Sequence, residues 1–303
     1  MLTPEQIEER KSFIGGSDCA GVMAMSRWSS PLQVWMEKTG KKEAGKETVA
    51  MEIGSELEDL VAKMFCKRTG KKVQRVNESI RHQKYSFIGA NIDRRVVGED
   101  AILECKTASA WKAKEWGNED IPQEYILQVM HYLLVTGKQT AYIAVLIGNN
   151  DFKWKKVERD EELIKEILVR EVEFWQKYVI PQKMPMIFTD FDGDNLEELF
   201  PNDNKPAVKI PETYNEKLIM LAANEEAINE LEREIKKIKN ELKALLGESQ
   251  IGTTNKYQIT WKLQTRNSID VERLKNDMPD IYSKYLKQTQ TRAFRFKKID
   301  ENK

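Results

Sequence analysis

The chain has 303 residues, 40% of them hydrophobic and 32% charged, with Lys+Arg and Asp+Glu balanced at 49 each. That length is more than one small domain needs, and the charge balance excludes a globally basic binder, so any nucleic-acid surface has to be local. Three cysteines, Cys19, Cys66 and Cys105, show no paired spacing, which excludes a disulfide scaffold, a zinc ribbon and a four-cysteine cluster within one chain. No apolar run suits a signal core or a membrane span, so the expectation is a cytoplasmic protein that meets no membrane.

Thr3-Pro4-Glu5 opens a short helix ending near Arg10-Lys11. Phe13-Ile14-Gly15-Gly16-Ser17-Asp18 then reads as a loop feeding a helix start. Its free N–H groups suit an anion, and they equally suit an ordinary cap at Ser17 or Asp18. Pro31 starts a helix that Gly40 stops. Met51 to Thr69 is a strong helix with Leu57, Leu60, Val61, Met64 and Phe65 as its apolar stripe, Glu58 just off it and Gly70 at its end. Val73–Asn77 and Ser79–Ile88 read as strands.

Next comes Asn91-Ile92-Asp93, then Arg94 to Val97, the turn residues Gly98-Glu99-Asp100, and Ile102-Leu103-Glu104-Cys105-Lys106. This is a hairpin. Glu104 and Lys106, two apart on one strand, share a face that Asp93 can reach, and Cys105 turns to the opposite, core side. Two carboxylates beside an ammonium suit a hard divalent cation and a held water; they equally suit a cross-strand salt bridge.

Pro122 begins a helix to about Thr136, with Tyr125, Gln128, Val129 and Tyr132 on one face. Ala141–Ile147 fits a buried central strand, Phe152–Val157 pairs with it, and Glu161–Tyr178 is an amphipathic helix before Pro181 and Pro185. Residues 186–210 read as a linker, and their acidic run lacks the spacing of a calcium loop. Pro211–Leu246 is a long helix with a heptad seam from Ile228 to Leu245, suited to another chain or to its own domain. Tyr257–Leu263 reads as a strand, Val271–Leu286 as a helix broken near Pro279, and Arg292–Lys298 as a closing basic strand able to touch phosphate. The expected division is residues 1–185, a linker 186–210 and a C-terminal region 211–303.

Five motifs occur in order: Arg10…Ile14-Gly15-Gly16-Ser17-Asp18, Gly54-Ser55-Glu56-Leu57-Glu58, Gly89-Ala90-Asn91-Ile92-Asp93, Glu104-Cys105-Lys106-Thr107, and Tyr125 through Tyr132 with Gln128-Val129. Together they resemble the YqaJ-type viral recombinases, the phage lambda exonuclease group of the restriction-endonuclease-like nuclease superfamily. The resemblance implies an α/β fold: a mixed central sheet flanked by helices, here with a C-terminal long helix and a small α+β tail. It implies a magnesium-dependent, 5′-to-3′ exonuclease acting on double-stranded DNA ends, with manganese able to substitute. Asp93, Glu104 and the Cys105 carbonyl would bind the metal, and Lys106 would position or deprotonate the water. Glu58 and Gln128 would support a second metal and the water, while Arg10 and Ser17 would grip the terminal 5′-phosphate.

The resemblance further implies a 3′ overhang handed to a single-strand annealing protein, a trimeric ring, and a phage or prophage protein in a bacterial host. Two rivals stand beside it. One is a structure- or sequence-specific endonuclease on the same fold. The other is a non-catalytic DNA-binding or assembly subunit, against which the intact Asp93, Glu104 and Lys106 argue.

Overall fold

The computed structural model describes residues 4–42, 48–117, 121–289 and 291–297, with backbone only at residues 4–7. Thr3, at the opening of the first expected helix, and Lys298, at the end of the expected basic strand, lie outside them. The chain divides into two compact units, Met1–Pro201 and Asn202–Lys303.

The first unit begins with α1 (Pro4–Lys11), α2 (Gly16–Val22), α3 (Pro31–Lys38) and α4 (Val49–Thr69). Local chemistry sets their ends. The Ser30 hydroxyl accepts from the Gln33 N–H and Pro31 occupies the first turn of α3. Thr48 accepts from the Met51 N–H at the start of α4, and Gly70, at φ +73°, closes it in a left-handed conformation that a side chain would strain.

The strands β1 (Val73–Arg75), β2 (Ile80–Arg81), β3 (Gly89–Ala90), β4 (Arg94–Val96) and β5 (Ala101–Ala108) follow. After a 3₁₀ turn at Ala110–Trp116 come α5 (Gln123–Thr136), β6 (Thr140–Ile147), β7 (Asp151–Glu158), α6 (Glu161–Phe174) and α7 (Gly193–Leu199). A five-stranded sheet runs β1-β4-β5-β6-β7. The β5–β6 pair is parallel, from Ala101 opposite Thr140 to Ala108 opposite Ile147, and the other neighbours are antiparallel. The parallel pair is joined through α5, as a parallel connection requires a crossover.

Alternation along β5 decides what each face of the sheet meets. Ala101, Leu103 and Cys105 pack with Val61, Phe65 and Leu57 of α4. Ile102 and Ala108 join the larger core with Leu127, Met130 and Leu133 of α5 and Ile164 and Ile167 of α6. Cys105 thus turns to the α4 side, while Glu104 and Lys106 turn under α5. Leu133 is fully buried, and its truncation to Ala costs about 2–5 kcal/mol. A third cluster joins Ile14, Leu32, Trp35 and Met36 to Phe174, Val179, Leu196 and Leu199.

Several sequence expectations change. The strand expected over Ser79–Ile88 shrinks to β2, which pairs with β3 in a separate two-stranded sheet. Leu60, placed on the apolar stripe of α4, is exposed, because Val61, Ala62 and Phe65 take the sheet. Part of the expected linker is α7, anchored by the buried Asp192, which accepts from Ser30, Thr189 and Asn195.

The second unit contains α8 (Asn215–Leu246), β8 (Ile251–Thr253) paired with β9 (Gln258–Thr260), α9 (Val271–Asp277) and α10 (Pro279–Tyr285). The strand expected over Tyr257–Leu263 is only β9. The helix break expected near Pro279 falls between α9 and α10. The expected basic strand is not formed over residues 291–297, where Phe294 is exposed and no neighbouring strand pairs with it among the described residues.

Candidate active site

The β4–β5 register sets Arg94 opposite Leu103 and Arg95 opposite Ile102. One step further along the antiparallel ladder, Asp93, just before β4, comes opposite Glu104. Asp93 Oδ2 accepts from the Cys105 N–H at 2.7 Å. Lys106 Nζ donates to Glu104 Oε1 at 2.6 Å and to Gln128 Oε1 at 2.9 Å. Gln128 Nε2 donates to Glu104 Oε1 at 2.8 Å and to the Tyr132 hydroxyl at 2.9 Å. Gln128 and Tyr132 are one turn apart on α5, so both hang over the same face of β5.

Because Lys106 can only donate and Glu104 accepts, the Gln128 amide has one workable orientation. Glu104 Oε2 is different: it is buried and has no partner among the described residues. A buried carboxylate oxygen without a donor is costly and invites a cation. Burial, followed by the nearby Glu104 charge, pushes Asp93 well above the ordinary carboxylate range, against the pull of Lys106. Burial works against the Lys106 ammonium, but Glu104 and Asp93 outweigh it and its pKa is raised. The site therefore concentrates two repelling acids and one persistent cation. A divalent ion relieves that repulsion, and the hard oxygen donors fit magnesium or manganese.

Glu58 lies at the margin. It sits on α4, across the sheet from Gln128, and its Oε1 accepts from Arg94 Nη1 at 2.5 Å. Arg94 also donates to Asp59 and to the Asp93 backbone oxygen. The Glu58 charge still acts on Asp93. Arg94, only 4% exposed, was not singled out from sequence; its position next to Asp93, with its side chain on the opposite sheet face, was the available signal.

Arg10 and Ser17 do meet, Nη2 donating to the hydroxyl at 2.9 Å. Packing, and not an unusual backbone conformation, accounts for Gly16. Neither Gly15 nor Gly16 has a positive φ, and α2 is only seven residues long. A Cβ on Gly16 would lie 2.3 Å from Tyr132 Cε1, so glycine is required there by the tyrosine ring. Asp18 does cap α2, from its third position and not as the N-cap residue, which is Gly15: its buried carboxylate accepts from the Gly15 N–H at 2.8 Å and from Lys38 Nζ at 2.6 Å. Burial opposes the Asp18 charge, yet Lys38 and Arg10 hold its pKa below the ordinary value.

A second buried cluster, Cys19, His131 and Glu171, also escaped the sequence reading. It does not suit a metal. His131 Nδ1 lies 2.7 Å from Glu171 Oε1 and Nε2 lies 2.7 Å from the Gly89 carbonyl oxygen, so a doubly protonated ring donates from both nitrogens and keeps no lone pair for an ion. Burial disfavours that charge, but Glu171 prevails and the His131 pKa is raised. The pair ties α5 to α6 and to the strand leading to Asp93.

The profile of the YqaJ-like viral recombinase domain matches residues 7–139, which span all of these residues except Glu171. The Bacillus subtilis (strain 168) uncharacterized protein YqaJ is 40% identical over 308 aligned residues, covering 99% of this chain and 95% of that protein. The chain belongs to the YqaJ-like viral recombinase family. Among solved structures, the alkaline exonuclease LHK-Exo of Laribacter hongkongensis has a TM-score of 0.52 at 22% identity, covering 60% of this chain and 94% of the exonuclease. Its complex with dAMP gives 0.53 at 22% identity, covering 65% and 97%. This YqaJ-like chain thus shares the fold of an alkaline exonuclease: a mixed, mostly antiparallel central sheet between helices, with a long C-terminal helix in addition. Among the described residues, no helix is long and apolar enough to cross a membrane.

Proposed function

We propose that this chain is a metal-dependent exonuclease that degrades one strand of duplex DNA from its 5′ end and leaves a 3′ overhang. The observation that carries the reading is the Asp93–Glu104 pair set opposite by the β4–β5 register, with Glu104 Oε2 buried and unpartnered beside Lys106 and Gln128. Asp93, Glu104 and the Cys105 carbonyl would hold magnesium, with Glu58 contributing if it releases Arg94. Bound there, the metal supplies charge relief to a phosphate oxygen and lowers the pKa of a bound water. The chain's own residues do the rest. Lys106, as an ammonium, stabilises charge gathering on the scissile phosphate. Gln128 fixes Lys106 and Glu104 relative to one another and leaves neither free to rotate. Arg10 and Ser17 grip a terminal 5′-phosphate, for which a guanidinium fork and a hydroxyl are suited.

The finer parts of the proposal are a homotrimeric ring around DNA, an annealing protein that receives the overhang, and action in the cytoplasm of a bacterial host. The nuclease work belongs to residues 1–185 and the partner or self contacts to residues 211–303.

The test is digestion of linear duplex labelled separately at each 5′ end, with magnesium, beside a closed circle. Progressive loss of 5′ label from linear DNA and an intact circle are expected, and chelation should stop the reaction. Cutting of the circle would replace this reading with that of an endonuclease on the same fold. Binding without cleavage of either substrate would leave a non-catalytic DNA-binding subunit.

A further inference from the structure

Two groups of side chains have so far been treated apart: the acids with Lys106 and Gln128, and the Arg10–Ser17 contact. Tyr132 joins the first through Gln128 and packs on Gly16, the residue before Ser17. The hydroxyl end of its ring is pressed on the Gly16 turn, since a Cβ on Gly16 would come within 2.3 Å of Cε1 and 2.8 Å of Cζ. Ser17 is the next residue, and Arg10 is bonded to it. At the same time the Tyr132 oxygen accepts from Gln128 Nε2 at 2.9 Å. The charges of Glu104, Asp93 and Arg10 all act on the phenol.

The phenol proton is the unspent group. A tyrosine hydroxyl both accepts and donates, and the Gln128 contact uses only its accepting side. No acceptor takes its proton among the described residues, and Glu104 Oε2, the buried acceptor nearby, is itself without a partner. The ring is held by packing against Gly16, by α5 and by Gln128, so the hydroxyl is pre-set before any ligand arrives.

We propose that Tyr132 is a substrate-contacting residue: its hydroxyl, oriented by Gln128, donates to the terminal 5′-phosphate held by Arg10 and Ser17. This rests on the end-gripping exonuclease reading above and adds to it a third phosphate donor on α5, outside the segment Arg10–Ser17. The same helix then carries a residue of the acid cluster and a residue of the end grip one turn apart. The length of that turn fixes how far the gripped end lies from the acids, and so which phosphodiester is presented to them.

The test uses the full chain and the Tyr132→Phe variant, which keeps the ring on Gly16 and removes only the hydroxyl. For each, kcat/KM is measured on the same linear duplex bearing a 5′-phosphate or a 5′-hydroxyl, and the two values are expressed as a ratio. A general loss of stability or of Gln128 alignment lowers both rates and leaves the ratio unchanged, whereas a lost phosphate contact lowers the ratio. The expected result is a parent that prefers the 5′-phosphate and a Tyr132→Phe ratio about tenfold smaller, the size of a hydrogen bond to a charged group. Gly16→Ala, which drives a methyl into the ring, should lower the ratio as well. A Tyr132→Phe ratio equal to the parent's overturns the proposal and leaves the grip to Arg10 and Ser17. A parent with no preference at all overturns the end-grip reading and this proposal with it.

Discussion

The acid cluster beneath α5 and the Arg10–Ser17 contact are built in opposite ways. The first is buried and closed: Glu104, Gln128 and Lys106 satisfy one another through fixed hydrogen bonds, and only Glu104 Oε2 is left over. The second is a single hydrogen bond between a half-buried arginine and an exposed serine. Charges out of water interact strongly and cannot be replaced by solvent, whereas exposed ones are screened and easily substituted. On the proposed reading the chemistry falls to the buried group, and the choice of substrate end to the accessible one. The comparison predicts graded, separable losses.

The largest loss belongs to the acids. Asp93→Ala or Glu104→Ala should lower the rate by roughly a thousandfold or more while DNA binding in a gel-shift assay stays close to the parent's. Full activity in either purified variant would end the metal-site assignment. Next comes the pair that secures α5 from behind. His131→Ala leaves Glu171 buried and unpaired, a loss of about 3–5 kcal/mol in urea unfolding.

The same pair gives a pH dependence. The folded protein holds the His131 proton more tightly than the unfolded chain does. The stability it adds is therefore complete below the ordinary histidine pKa and is lost as pH rises through the raised, folded value. Glu171, Cys19, Asp18 and His82 are the titratable groups acting with it. Unfolding midpoints measured on the alkaline side should fall in the parent and flatten in His131→Gln.

Smaller still is Gln128→Ala, which removes the amide joining Lys106, Glu104 and Tyr132. Supporting residues of this kind cost about 10–100-fold, here read in kcat with the metal requirement unchanged. The smallest effect falls on the accessible Arg10–Ser17 contact. Arg10→Ala should lower the preference for 5′-phosphorylated over 5′-hydroxyl ends by about tenfold and spare basal hydrolysis. If Arg10→Ala instead abolished hydrolysis on both ends, the proposed separation between chemistry and end recognition would collapse.

The amino-acid sequence by itself determined the parts of this protein that depend on short-range rules. Alternation put Glu104 and Lys106 on one face and Cys105 on the other. Helical spacing put Gln128 and Tyr132 one above the other, and Pro31, Gly70 and Pro279 marked helix limits that local backbone preferences enforce. The ordered motifs carried the family. Only the tertiary structure decided what depends on packing across the sheet. It showed that Gly16 yields space to Tyr132 and that Arg94 takes Glu58. It buried Asp18 on Lys38 and joined His131 to Glu171 over a separation of forty residues. None of these pairs has a periodic signature, because partners brought together by folding need be neither close nor regularly spaced along the chain. The short β2 and the missing C-terminal basic strand have the same origin: a strand exists only where a neighbour offers its backbone, and the residues of one segment alone do not specify that neighbour.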